Sequence, residues 1–355
     1  MNRQQRLRTK LCKGLTCILL WVSNILLVGC DPGPEERQYL DKDQLLVEAK
    51  SLAGSWRESA PTTNGFQQTD FDMRWQAASG NETVQLTSQS RLVYVYATAY
   101  RLSGDVEHLE AVRNAADFML AYMQRPEEPG WYKVVDRSGK PINKSIHSYG
   151  YSFALFAMAH AYGATQDSRY LEAAIATWKS DMWPGLAAAR EWNKNGKLLG
   201  NPSGKTWSQN PFMHLFEALL ALYEVTRSQE VWLDIQAMAR FLEDNLLQPC
   251  GCLPEWYVAA NFSPLDADDT RLYLGHQVEW AFLLSHAVEL GLNQGYLDTA
   301  NGLLDFALNH GISPDTGGLQ ATSTMDGKEG DKSYWWWAQA ELMRATAHFA
   351  EMHGR

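Results

Sequence analysis

The side chains best suited to chemistry fall in five short segments: Gln89 and Arg91; His147 and Tyr149; Asn210, His214 and Glu217; His276, Gln277, Glu279 and Trp280; and Lys332, Tyr334 and Trp335 to Trp337. Each segment opens a helical stretch that is otherwise nearly all apolar. Imidazole is the side chain whose unperturbed pKa, about 6.5, suits proton transfer at neutral pH. Glu279 follows His276 by three residues, so on a helix the two share a face and the carboxylate can orient or charge-couple the ring. Consecutive helical residues point 100° apart, so at least one of Trp335, Trp336 and Trp337 must face away from the other two. No set of His, Cys, Asp or Glu has the spacing of a metal site, and no Gly-rich loop matches a nucleotide-binding pattern. Neither a metal nor an obligatory cofactor is expected.

The elements that must position these residues are helices. From residue 43 onward the apolar residues follow a helical period, interrupted by Gly-, Pro- and Asn-rich loops. About ten helices are expected, at roughly 43–58, 87–102, 106–124, 147–164, 168–180, 210–226, 229–247, 276–290, 295–309 and 333–352. The longer loops carry short β-like pieces such as Trp131-Tyr132-Lys133-Val134-Val135 and Leu253-Pro254-Glu255-Trp256-Tyr257. The junctions Ala99-Tyr100-Arg101-Leu102-Ser103-Gly104-Asp105, Ala161-Tyr162-Gly163-Ala164-Thr165-Gln166-Asp167 and Leu222-Tyr223-Glu224-Val225-Thr226 recur at spacings of 62 and 61 residues, with a fourth copy near Gly291. Each closes an almost wholly apolar helix and opens a more charged one. A helix apolar on most faces is buried and an amphipathic partner covers it, so the repeating unit is an inner helix followed by an outer one. Units of about sixty residues predict an all-α toroid of helical hairpins in one domain, 43–355.

The strings Asn210-Pro211-Phe212-Met213-His214-Leu215-Phe216-Glu217-Ala218, Gly275-His276-Gln277-Val278-Glu279-Trp280, and Lys332 with Trp336-Trp337-Ala338-Gln339-Ala340-Glu341 resemble the N-acylglucosamine 2-epimerase family, which includes cellobiose 2-epimerases and aldose–ketose isomerases. Tyr149-Gly150-Tyr151-Ser152-Phe153 and Gln89-Ser90-Arg91 match in order and spacing, and the likeness runs from about residue 43 to the C-terminus. The resemblance implies an (α/α)6 barrel. It implies chemistry beside a sugar carbonyl: the ring opens, the C2 proton leaves to give an enediolate, and a proton returns to C2 on the other face or to C1. His276 corresponds to one of the family's two catalytic histidines, with Glu279 as its helper. His214 corresponds to a histidine near the ring oxygen that assists ring opening. Arg91 corresponds to an arginine that holds the carbonyl oxygen. Tyr149, Asn210 and Glu217 fall among the substrate-binding positions, and Trp280, Trp336 and Trp337 supply flat faces for sugar C–H groups. The expected ligand is a mono- or disaccharide.

The family's second catalytic histidine lies in a C-terminal Tyr-His segment beyond the Trp-Trp helix, and this chain ends at Arg355. The expectation is therefore an incomplete toroid of about ten of twelve helices, open between the first and tenth. Pairing of two copies would cover the apolar flanks of such a seam. Isomerisation, which can shuttle one proton on one face, is less affected by that loss than epimerisation. Two other functions compete: glycoside hydrolysis or lysis using Glu217, Glu255 or Glu279, and carbohydrate binding without catalysis. No paired-carboxylate motif stands out as His276 does.

Composition bounds the partners. Hydrophobic residues make up 45% of the 355-residue chain and charged residues 20%, so a large core is available and disorder is excluded. The net charge is −10, and Arg3, Arg6, Arg8, Lys10 and Lys13 all precede the first acid, so the remainder is more acidic still. Such a surface repels phosphate backbones, and no nucleic-acid partner is expected. Those five cations and the apolar run Leu15–Val28 form a secretory signal over residues 1–29. Leu27-Val28-Gly29-Cys30 resembles a bacterial lipobox, which implies lipidation of Cys30, a tether over 30–42, and an exported protein anchored to a membrane, facing the periplasm where there are two membranes. Cys250 and Cys252 are left with one Gly between them, either as free or reversibly paired thiols in a tight turn or as a redox site.

Overall fold

A computed structural model describes residues 42–78, 82–199, 205–265, 271–328 and 330–355. The expected signal, the lipidated Cys30 and the tether up to residue 41 lie outside the described residues. The chain divides into two compact units, one ending at Met182 and the other beginning at Trp183. In the first lie α1 (Lys42–Ser59), α2 (Leu86–Ser103), α3 (Val106–Phe118), α4 (Ser148–Thr165) and α5 (Ser168–Trp178). An antiparallel sheet of three-residue strands, β1 (Thr83–Gln85), β2 (Val134–Asp136) and β3 (Pro141–Asn143), accompanies them. The second unit contains α6 (Pro184–Asn195), α7 (Asn210–Thr226), α8 (Gln229–Phe241), α9 (Leu274–Leu290), α10 (Tyr296–Gly311) and α11 (Trp336–His353). Its strands pair as β4 (Thr206–Ser208) with β5 (Trp256–Val258), and β6 (Leu272–Tyr273) with β7 (Thr322–Ser323).

The class is all-α, as the periodicity predicts, and the expected helices recur with shifts of a few residues. One helix is additional. The sequence pattern marks none between 180 and 210, yet α6 begins there at Pro184, whose fixed φ and missing N–H suit a first helical turn. In each unit the most buried helices lie against one another, α2 against α4 in the first and α9 against α7 in the second, where the partly exposed α11 also packs on α9. Amphipathic α3, α5, α8 and α10 each follow and cover one of them.

The sequence repeat marks a turn built three times from the same parts. Ser103, Thr165 and Thr226 return their hydroxyls to the carbonyls of Ala99, Ala161 and Leu222, and accept from the N–H groups of Asp105, Asp167 and Ser228. Gly104, Gln166 and Arg227 between them are left-handed, at φ 72°, 59° and 55°. Each donates its N–H at 2.8 Å to a tyrosine carbonyl, of Tyr100, Tyr162 and Tyr223. This closes one helix with an αL cap, and Asp105 and Asp167 then cap the N-termini of the next.

A second repeated device ties the starts of the buried helices to the loops. Gln89, Gln277 and Gln339 each occupy the fourth position of their helix. Each side-chain amide accepts from the N–H and donates to the C=O of one loop residue, Gln67, Leu253 and Leu319 respectively, at 2.7–2.8 Å. Buried backbone groups that no ladder reaches are satisfied in this way. Gln89 and Gln277, candidate site residues by sequence, act as clamps. The cysteines of the second unit are joined as a Cys250–Cys252 disulfide with Cα atoms 5.3 Å apart.

Two glycines test how tightly the second unit is packed. A Cβ on Gly275, at the start of α9, would lie 2.3 Å from the Trp337 ring and 2.8 Å from the Ala338 Cβ, whereas one on Gly302 in α10 meets nothing within 4 Å. Gly275→Ala is expected to lose about 1–3 kcal/mol to overpacking despite its better helix propensity. Gly302→Ala should gain about 0.5–1 kcal/mol. Urea unfolding of the two variants checks the opposite signs.

Candidate active site

Strand β6 runs directly into α9, which sets His276 in the first turn of that helix with 4% of its surface exposed. Because Gly275 has no side chain, the Trp337 ring comes within 4.9 Å of the imidazole, and Tyr273 stands on another side at 5.5 Å. His276 Nδ1 lies 2.7 Å from Glu255 Oε2, and Glu255 is 2% exposed. The β4–β5 register pairs Ser208 with Trp256, which brings Ser208 and Gln209 beside Glu255. Ser208 donates its hydroxyl to Glu255 Oε1 at 2.8 Å, and the Gln209 amide donates to Oε2 at 2.9 Å.

The polarity of this hydrogen-bonded chain is set by one donor. The Trp280 indole N–H can only donate, and it does so to Gln209 Oε1 at 2.6 Å. That orients the Gln209 NH2 toward Glu255, which becomes the acceptor of the group. A 2.7 Å contact to a carboxylate outweighs the 3.1 Å approach of the Gln209 amide to the same ring nitrogen, so Nδ1 carries the proton. The basic lone pair of His276 then resides on Nε2.

A second group of charges lies buried between α7, α9 and α11. His214 Nδ1 is 3.1 Å from Glu217 and 3.7 Å from Glu279. Arg344, 4% exposed, is 3.3 Å from Glu217, 3.7 Å from Glu279 and 2.5 Å from Glu341, and its guanidinium covers the Phe282 ring. His214, Glu217 and Glu279 bring ligand atoms within 4.8 Å of one another, close enough to share a metal ion. The guanidinium already supplies the positive charge that such a set of carboxylates demands, so the cluster is an ion-pair network. Burial acts to raise the Glu217 carboxyl, but the His214 hydrogen bond and the Arg344 charge outweigh it and hold the group at about 2. Burial pushes the Glu341 carboxyl up against the opposing pull of Arg344.

The structure redistributes several residues that the sequence singles out. Glu255, not Glu279, is the partner of His276; Glu279 turns toward His214 and Arg344, because α9 directs its residues 276 and 279 at different neighbours. Trp280 is fully buried between Phe212 and Phe216 and offers no face to a sugar. Trp337 lies beside His276, while Trp336 is 55% exposed on another side of α11. Asn210 Oδ1 is buried without a hydrogen-bond partner, the condition of an acceptor awaiting a hydroxyl. In the first unit, Arg91 lies over the Phe153 ring at 4.6 Å and donates to the Tyr149 hydroxyl at 3.3 Å. Gln209, Arg344 and Glu341 are additions. The sequence signal for the last two is a Glu–Arg pair one turn apart inside an otherwise apolar helix.

The sequence profile of the N-acylglucosamine 2-epimerase family matches residues 65–355. The chain is 25% identical over 276 residues to a cellobiose 2-epimerase of Bacteroides fragilis, covering 72% of this chain and 67% of the relative. It is 26% identical over 287 residues to a D-mannose isomerase of Marinomonas mediterranea, covering 74% and 69%. A crystal structure of D-mannose isomerase superposes with a TM-score of 0.76 over 90% of this chain and 84% of the other, at 20% identity, so the fold is shared.

The Glu217 carboxyl ties stability to pH. Its folded value is depressed below the ordinary 4.5, so its contribution is fully present above pH 4.5 and is lost as the pH falls toward about 2. Urea midpoints measured from pH 6 to pH 2 should fall more steeply over that window in the wild type than in Glu217→Gln. At neutral pH the variant should be less stable by about 3 kcal/mol, since Arg344 keeps a buried charge with one partner fewer.

Proposed function

The chain belongs to the N-acylglucosamine 2-epimerase family; it is a carbohydrate epimerase or isomerase, and we propose that His276 is the base that takes the C2 proton of its sugar. The observation that carries this reading is the hydrogen bond from His276 Nδ1 to Glu255, which leaves Nε2 as the free basic nitrogen. In the open-chain aldose the C2–H pair moves into the C1–C2 bond as the proton passes to Nε2, and the carbonyl oxygen takes the negative charge. Delivery of a proton to C2 on the opposite face, from a group other than His276, gives the epimer; return of the proton from Nε2 to C1, with the O2 hydroxyl proton passing to O1, gives the ketose. As the imidazole becomes imidazolium, Glu255 lies one hydrogen bond from the new charge and stabilises it. Asn210 Oδ1 accepts a sugar hydroxyl, and Trp337 presents its ring to sugar C–H groups. His214, within its buried charge network, assists ring opening.

The names of the relatives make mannose and cellobiose the first sugars to try. Incubation in D2O should place deuterium at C2 of an accepted aldose. His276→Gln should lower that exchange by about 10²–10⁴-fold while sparing aldose binding. Exchange that persists in the variant would remove His276 from the role.

The proposal extends to location. Among the described residues no helix is long and apolar enough to cross a membrane. The run Leu27-Val28-Gly29-Cys30 supports export and attachment through a lipid on Cys30. Cys30→Ser should leave the chain unprocessed and without lipid; a variant processed at the same site and equally membrane-bound would sink this part of the proposal.

A further inference from the structure

Three residues before Glu255 stands a crosslink that stability does not explain. In the loop-entropy account a disulfide stabilises more the longer the loop it closes, and Cys250–Cys252 encloses a single residue. The turn is already closed by two backbone hydrogen bonds, Gly251 N–H to Gln248 O at 2.9 Å and Gln248 N–H to Cys252 O at 3.0 Å. A short, stiff connection joins the crosslink to the carboxylate that holds the candidate base. Leu253 has both backbone groups clamped by Gln277, the neighbour of His276 on α9. Pro254 fixes its own φ. Glu255 is held by its N–H to Arg271 O and by its C=O from the Gln209 N–H, and its side chain meets His276 Nδ1. The two sulfurs differ in access, since Cys250 is exposed and Cys252 is fully buried.

We infer that the Cys250–Cys252 disulfide is a reversible thiol-exchange site for a dithiol reductant, and that its redox state sets how firmly Glu255 holds His276. The coupling to catalysis rests on His276 being the base. The exchange balances within the site. A thiolate of the reductant attacks the exposed Cys250 Sγ, the Cys250–Cys252 bond breaks, and Cys252 leaves as a thiolate that takes a proton. The reductant's second thiol then attacks its own sulfur in the mixed disulfide and releases Cys250 as a thiol. The protein gains two electrons and two protons, and the dithiol becomes a disulfide. With the crosslink gone, only the two backbone hydrogen bonds close the turn around Gly251. The Cys252–Glu255 connection opens more often, and Glu255 with it.

The full chain, oxidised and after treatment with dithiothreitol, provides the test. Thiol titration should find no free thiols at Cys250 and Cys252 before treatment and two after; free thiols at both positions in the untreated protein would overturn the inference. The readout at the site is the His276 Nδ1–H proton, observed by NMR and assigned with His276→Gln. Its exchange with water should quicken about tenfold on reduction. Cys250→Ser/Cys252→Ser should show the fast exchange at once and ignore dithiothreitol, and Glu255→Gln should do the same because the hydrogen bond is already lost. Equal exchange rates in the oxidised and reduced wild type would refute the coupling, as would a response to dithiothreitol in the double serine variant. Sugar turnover separates the two readings. A fall in kcat with KM unchanged supports both, whereas a redox-sensitive ring proton without C2 exchange in either state upholds the coupling and removes the base assignment.

Discussion

The 2.7 Å contact between His276 Nδ1 and Glu255 is the interaction around which the second unit is arranged. A neutral imidazole has one basic nitrogen, and a carboxylate on Nδ1 commits Nε2 to that role; here the carboxylate is itself fixed by a directional chain that begins at an indole N–H. Trp280 cannot accept, so Gln209 must present its carbonyl to it and its NH2 to Glu255. The aromatic residues packed round Trp280 therefore do more than fill the core. By holding the indole still, they hold the tautomer of a histidine three hydrogen bonds away.

The buried charges beside it obey a different constraint. Placing Glu217, Glu279, Glu341, His214 and Arg344 out of water carries a desolvation cost of several kcal/mol per ion, which only close mutual pairing offsets. Arg344 reaches three carboxylates from one guanidinium and lies on the Phe282 ring, an arrangement that a planar, weakly hydrated cation tolerates better than an ammonium would. Such a network is a poor source of stability, and its value is to keep His214 and its carboxylates in one arrangement.

The His276 site sits at the start of a buried helix, where loop backbone and unpaired helix N–H groups need partners. The short strands and the glutamine clamps resolve this. Strands β4 and β6 lead into α7 and α9, and Gln277 and Gln339 satisfy loop backbone that no ladder reaches. At the opposite ends of α2, α4 and α7 the same αL turn is reused as a connector.

The features legible in the unfolded chain are local in origin. Helix positions follow from apolar period. The repeated turns follow from a Ser or Thr four residues after a carbonyl it can reach, and from a following residue that accepts positive φ. His276, His214 and Asn210 are legible as polar interruptions in apolar helices and through their resemblance to a known family. Which side chain meets which is settled only on folding. Glu255 lies 21 residues from His276, and Arg344 lies 127 from Glu217. Periodicity tells that a helix is buried but not which neighbour each face meets, so spacing alone gives Glu279 to His276, and the resemblance gives Trp280 to a sugar. Hydrogen-bond direction, packing of aromatic rings and the pairing of buried charges are properties of residues brought together from distant positions, and only the folded chain specifies them.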